Sequence, residues 1–254
     1  MHVISTKSLG ELTGVERDAR RVSDLGFAVL ESRYDRALLQ SIGDRALALR
    51  RSGERKFLGL EHLRQAHIAI PEIEKLRVDG RRLAALSEMA GVELEPYPLT
   101  TAGCHINFYE ADTLPIAFHT DGAAMVELIP LIADGDSDSG ATLVYNGVPD
   151  EGEVVLQDGH SLSKDKIERV PQEVGNSVLL QGRMLLHGAE PVRGGQRVTL
   201  VLALRSAAEP WKDDNTLMRL MLDDELAQIQ DEWIEIEKQK LPAFRNMLKR
   251  RSPA

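Results

Sequence analysis

From Val92 to Arg205 the apolar residues alternate in short runs separated by glycine and asparagine, and this alternation limits the folds open to the chain. A period of two places successive side chains on opposite faces of a strand. Gly103 to Tyr109 sets His105, Asn107 and Tyr109 on one face and Ile106 and Phe108 on the other. Gln196 to Arg205 sets Val198, Leu200, Leu202 and Leu204 on one face. Ala117–Asp121, Ala124–Ile132, Ala141–Tyr145, Glu153–Gln157, Ser177–Leu180 and Met184–His187 read as further strands, with Val170–Val174 leading to the turn before Ser177. Asn146-Gly147 is a strong turn signal, and Gly175-Asn176 marks another turn. Many short strands with such turns predict a sandwich or barrel. A double-stranded β-helix, or jelly roll, fits best, because it wraps strands around a pocket.

Helical patterns flank this β region. Residues 11 to 24 carry Leu12, Val15, Ala19 and Val22 at helix-like spacing, and Leu25 to Leu30 then reads as a strand. Ala37 to Arg51, the run opened by Pro71, and Arg81 to Ala90 are expected helices, the last stopped by Gly91. After Arg205, Leu222, Leu226, Ile229, Trp233 and Ile236 form a narrow helical stripe that Pro242 is expected to end. Such a stripe either packs on the β core or forms a homodimer contact. The chain reads as one domain: residues 1–95 as support, 96–206 as the β core and 207–254 as a C-terminal helical segment.

Composition narrows the chemistry. A length of 254 residues is enough to bury a full core. The net charge of −9 argues against nucleic acid as a partner. Cys104 is the only cysteine, which excludes an internal disulfide and a thiolate-rich zinc site. No run approaches the roughly 20 apolar residues of a membrane helix, and the N-terminus lacks the pattern of a signal peptide. A cytoplasmic protein with no membrane partner is expected. Asp134-x-Asp136-x-Asp138 lacks the glycine and glutamate of a calcium loop and reads as an acidic turn.

The stretch that carries chemistry is Phe118-His119-Thr120-Asp121-Gly122, with Leu186-His187-Gly188 and Arg197 downstream. On a strand His119 and Asp121 point the same way and can hold one ion together. His187 from another strand completes two histidines and one carboxylate. That set leaves coordination positions open and suits non-haem Fe(II). Arg197 is a fixed cation suited to a carboxylate, because a guanidinium pairs with it through two parallel hydrogen bonds. Thr199 shares its face.

In this order of residues the chain resembles the Fe(II)/2-oxoglutarate-dependent dioxygenases, above all the phytanoyl-CoA-hydroxylase-like and related bacterial small-molecule hydroxylases. The resemblance implies that His119, Asp121 and His187 bind iron and that Arg197, helped by Thr199, binds the distal carboxylate of 2-oxoglutarate. It makes His105, Asn107 and Tyr109 candidates for contacts to the co-substrate. It implies that O2 and 2-oxoglutarate are consumed, that succinate and CO2 are released, and that a C–H bond of a small molecule is hydroxylated. Halogenating relatives replace the carboxylate by a small residue, so Asp121 favours oxygenation over chlorination. The segment from Arg55 to Ile70, with His62, Arg64 and His67, is one that passes near the active-site mouth in related enzymes. Arg183 and Arg205 are further candidates for an anionic substrate. Two other readings stay open: a cupin-like metal enzyme that does not use 2-oxoglutarate, and a non-enzymatic jelly-roll binding protein. Arg197 speaks against the first and the intact ligand set against the second.

Overall fold

The computed structural model describes residues 1–32, 34–50, 60–111 and 116–251, with side chains described to residue 249. The chain opens with β1 (His2–Ser8), which the alternation did not reveal, and a short α1 (Leu9–Thr13). The helix expected over residues 11–24 is therefore only its first turn. Ser8 and Glu11 form a capping box at its start. Gly14 adopts φ 71° and returns its N–H to Gly10 O at 2.9 Å, which ends the helix. Leu12 and Val22 are still buried, as their spacing suggested, but not by one helix.

β2 (Leu25–Glu31) and α2 (Arg36–Leu49) follow the sequence pattern closely. Next come β3 (Glu61–Arg64), α3 (Ala66–Ala69), α4 (Pro71–Arg77) and α5 (Gly80–Ala90). Pro71 opens α4, where its missing N–H costs nothing. Asp79 caps α5 by accepting from the backbone of Arg81 and Arg82. The part of the expected mouth segment from Arg55 to Gly59 lies outside the described residues. β4 (Leu94–Pro96), α6 (Thr100–Gly103), β5 (Cys104–Glu110), β6 (Met125–Ala133) and β7 (Thr142–Tyr145) lead to α7 (Pro149–Gln157).

α7 corrects the strand expected over Glu153–Gln157. Pro149 stands in its first turn with Asp150 and Glu151, which favour the positive end of the helix dipole. Gly152 lets the helix lie against Tyr145 and Leu186. These local signals outweigh the strand preference of Val154 and Val155. β8 (Ile167–Val170), β9 (Asn176–Leu180), β10 (His187–Ala189) and β11 (Gln196–Ser206) complete the β region. The strand expected over Met184–His187 begins only at His187, because Gly182–Met184 makes a 3-10 turn. α8 (Leu217–Leu220) and α9 (Leu226–Arg251) close the described chain.

The strands form two sheets whose named pairs are all antiparallel. The larger runs β1-β2-β9-β6-β11-β5-β3, with β4 paired to one end of β11. The smaller runs β10-β7-β8. β11 is the axis of the larger sheet: it pairs with β5 from Gln196 to Leu202 and with β6 from Arg197 to Leu204. Its alternation sorts the molecule into layers. Val198, Leu200 and Leu202 pack with Leu39, Ile42, Ile70 and Ile73 beneath the N-terminal helices. Val201 and Ala203 face the other way, into a core shared with Val144, Val170 and Leu185. Arg197 and Thr199 share that second face by alternation.

α9 runs through Pro242 instead of ending there. Proline removes one hydrogen-bond donor and crowds the carbonyl four residues earlier, but the long flanking turns carry the helix past it. Ile229, Trp233 and Ile236 pack on the β core beside Tyr97, Leu99 and Leu220. These residues of the stripe are thus used within the chain, while Leu222 and Leu226 are exposed.

Candidate metal centre

His119 and His187 are joined backbone to backbone. Each N–H donates to the other's carbonyl, at 2.8 Å and 2.9 Å, in a single antiparallel bridge. The expected metal strand from Ala117 to Asp121 is reduced to this one bridge. Directly opposed residues on antiparallel chains bring their side chains together, and the two imidazole rings lie 4.5 Å apart, centroid to centroid. Asp121 is anchored separately, its N–H donating to Gly182 O at 3.0 Å. A 3-10 turn and a bridge therefore do the work that the sequence assigns to a regular strand.

Each imidazole is oriented by its own loop. His119 Nδ1 donates to Ala117 O at 2.8 Å, and His187 Nδ1 donates to Leu185 O at 2.9 Å. A proton fixed on Nδ1 leaves Nε2 with its lone pair free, which is the tautomer a metal needs. Both Nε2 atoms lie 3.6 Å from the Asp121 carboxylate, one at each oxygen. One ligand atom from each residue falls within 4.8 Å of the others. Burial holds the His187 imidazole below its ordinary pKa, so it is neutral near pH 7. Burial opposes ionisation of Asp121, but His187, His119 and Arg219 outweigh it and hold the carboxyl below the usual range. Asp121 Oδ2 is buried with no hydrogen-bond partner among the described residues. Such an orphaned acceptor is costly unless a further partner arrives, and a divalent cation between the three side chains supplies one.

Gly182 is a site residue that sequence reasoning missed, since only its neighbour Asp121 gives a signal. A Cβ at this position overlaps the Asp121 carboxylate. Gly182→Ala is therefore expected to push the carboxylate aside and weaken metal binding by about 10–100-fold, the usual cost of losing support behind a ligand. Titration of the apo-protein with Fe(II) or Co(II), with far-UV circular dichroism as a folding control, checks this. An unchanged affinity overturns it.

A cavity of about 190 Å³ opens against the three ligands. The face of β5 forms one wall: His105, Asn107 and Tyr109 all line it, as the alternation predicts. His62 and Arg64 from β3 lie beside them, with His62 opposite Asn107 and Arg64 opposite His105 in the ladder. Burial, then the charge of Arg64 and the nearby His62, keep the His105 imidazole well below its ordinary pKa and hence neutral.

Arg197 and Thr199 are buried beside Tyr109 and Asn107 on the neighbouring strand and do not line the cavity. The Arg197 guanidinium lies 3.8 Å over the Tyr109 ring and donates to Gly140 O. Its Nε and the Thr199 hydroxyl have no hydrogen-bond partner among the described residues. Arg183 and Arg205 are not part of the site. Arg183 pairs with Asp214 at 2.6 Å and Arg205 with Glu95 at 2.6 Å, and neither lines the cavity. Arg219 from α8 does line it, although no pattern in the sequence marks that residue.

No protein-family model and no curated protein sequence matches the chain. Solved structures do match its fold. One is the non-haem α-ketoglutarate-dependent carbocyclase SnoK from nogalamycin biosynthesis, 16% identical, with a TM-score of 0.54 over 80% of this chain and 87% of that one. HygX from Streptomyces hygroscopicus, determined with iron bound, is 13% identical, with a TM-score of 0.54 over 72% of this chain and 83% of that one. The non-haem α-ketoglutarate-dependent epimerase SnoN is 16% identical, with a TM-score of 0.52 over 72% of this chain and 79% of that one. The chain shares its fold with these non-haem α-ketoglutarate-dependent enzymes. Within that fold the chain carries a His-Asp-His cluster able to hold a metal ion.

Proposed function

We propose that the protein is a non-haem Fe(II)/2-oxoglutarate-dependent oxygenase that hydroxylates a C–H bond of a small molecule, releasing succinate and CO2. The observation that carries this reading is the cluster itself: two imidazoles locked with Nε2 inward and a buried carboxylate oxygen without a partner. Three ligands on one side leave room for a two-toothed co-substrate and for O2. HygX has been determined with nickel, 2-oxoglutarate and hygromycin B bound, which supports a small-molecule substrate. SnoN is an epimerase and SnoK a carbocyclase, so the fold also serves other outcomes. Hydroxylation is the one we assign, from the retained carboxylate of Asp121. The two sheets are assigned to a double-stranded β-helix within a single catalytic domain.

The residues have separate tasks. Bound at His119, Asp121 and His187, iron supplies the chemistry that couples O2 and 2-oxoglutarate to C–H oxidation. Arg197 is assigned to the distal carboxylate of 2-oxoglutarate. Its unpartnered Nε and the unpartnered Thr199 hydroxyl are two donors on one strand face, which is what a carboxylate accepts. Tyr109 and Asn107 are assigned to the wall against which the co-substrate lies. The neutral His105 adds no charge beside the metal. The apolar residues Val126, Leu128, Val201 and Ala203 on the cavity wall exclude water from the reacting centre.

Anaerobic addition of Fe(II) and 2-oxoglutarate tests the reading through the visible metal-to-ligand charge-transfer band. The wild type is expected to show it. Arg197→Ala is expected to need at least about 30-fold more 2-oxoglutarate, the lower end of the cost of unpairing a buried charge. A wild type without the band, or an Arg197→Ala protein that binds 2-oxoglutarate normally, overturns the corresponding assignment.

A further inference from the structure

Among the described residues, two guanidinium groups at the site have no carboxylate partner. One is Arg197, assigned above to 2-oxoglutarate. The other is Arg219, half-buried on α8 and part of the cavity wall. Its Nη2 donates to the backbone carbonyl of Thr120, and among the described residues no carboxylate forms an ion pair with it. Arg64, on the same wall, differs in having Asp224 as its partner. The Arg219 charge is one of those that hold the Asp121 carboxyl below its usual range. A divalent ion at the triad takes up that negative charge, and 2-oxoglutarate opposite Arg197 brings the bound complex close to neutrality. Arg219 is then left with a positive charge it cannot lose, since guanidinium stays protonated at all working pH. A partly desolvated, unbalanced charge is costly and is relieved by an opposite one.

The surroundings of Arg219 indicate what could bring that opposite charge. Leu220 and Leu222 stand beside it in sequence and line the same cavity, with Val126 and Leu128 on the sheet. Asp223 is on this rim too. We propose that Arg219 receives an oxyanion of the primary substrate, a carboxylate or a phosphate ester, whose apolar body lies along Leu220, Leu222, Val126 and Leu128. Planar, forked donors suit either oxyanion. The inference rests on the oxygenase reading above and names the substrate class for it.

The test uses the whole protein loaded anaerobically with Fe(II) and 2-oxoglutarate. Its thermal midpoint is followed against three probe series of matched chain length: hexanoate and octanoate, hexyl and octyl phosphate, and hexanamide and octanamide. One anionic series is expected to raise the midpoint while the amides do not, and which anion does so separates carboxylate from phosphate. Arg219→Gln is expected to weaken that binding by at least about tenfold, the size of a hydrogen bond to a charged group. Arg219→Lys keeps the charge without the fork and is expected to fall between. The proposal is overturned if amides match the anions, if no probe shifts the midpoint, or if Arg219→Gln binds anions as well as wild type. It also falls if Arg219→Gln instead weakens the 2-oxoglutarate charge-transfer band, since the residue then serves the co-substrate. Failure of the oxygenase reading is seen separately, as absence of that band in the wild type.

Discussion

Glu127→Ala is expected to destabilise the protein by about 3–5 kcal/mol, the usual cost of removing one partner from a buried ion pair. Glu127 lies in the middle of β6, a strand that otherwise reads as apolar, and is fully buried. It points away from the metal, beneath α5. Arg82 Nε donates to its Oε2 at 2.7 Å, and Arg82 Nη2 lies 2.6 Å from the same oxygen as an ion-pair contact off the hydrogen-bond direction. The Tyr34 hydroxyl donates to Oε1 at 2.8 Å. Burial, reinforced by the Glu127 charge, raises the Tyr34 pKa far above its ordinary value, so the phenol stays a donor. Truncating Glu127 leaves a buried guanidinium with no counter-ion. Replacing both partners with apolar residues, Glu127→Leu with Arg82→Met, is expected to recover most of the loss, because a matched apolar pair carries no desolvation cost. Urea unfolding followed by circular dichroism measures all three proteins. A single variant that loses less than about 1 kcal/mol, the level of an exposed pair, sinks the argument.

Asp121→Ala is expected to act in the opposite way, on function and not on folding. Fe(II) affinity should fall by more than about 100-fold, beyond the cost of losing a supporting contact. Apo-protein stability should fall only slightly, because the carboxylate's attraction to His187, His119 and Arg219 is set against the burial of an oxygen that has no hydrogen-bond partner among the described residues. Metal titration and urea unfolding of the apo forms read the two effects separately. A variant that keeps its metal affinity within tenfold of wild type removes Asp121 from the ligand set; one whose apo form unfolds far more easily makes it a structural residue.

The contrast between these two carboxylates shows what the sequence made legible. Asp121 was visible because a carboxylate two residues from a histidine, with a second histidine and an arginine downstream, has few structural reasons to occur. Glu127 was visible only as an acid inside an apolar run, with nothing in the sequence to name Arg82 or Tyr34 as its partners. Strict alternation puts His105, Asn107 and Tyr109 on one face of β5 but does not say which way that face turns; in the structure it turns to the cavity. Alternation failed where a local signal ended or replaced the regular element. Gly14 cut α1 short, Pro149 and two acids turned Val154 and Val155 into helix, and the turn at Gly182 displaced the start of β10. Arg219 and Gly182 were not legible at all. Their roles depend on where the chain after β11 and the turn before β10 meet the ligands, and such long-range placement leaves no periodic trace.

The reciprocal bridge between His119 and His187 bears on how the protein handles its metal over time. Two ligands from distant parts of the chain are already fastened to each other by the peptide backbone, so the ordering entropy of bringing them together is met during folding. Iron then has little left to organise. It adds stability by mass action, with the logarithm of its own free concentration once that exceeds the dissociation constant, and its departure is expected to leave the scaffold standing. A chain built this way is expected to take up and lose a metal ion at the His119–His187 bridge without refolding.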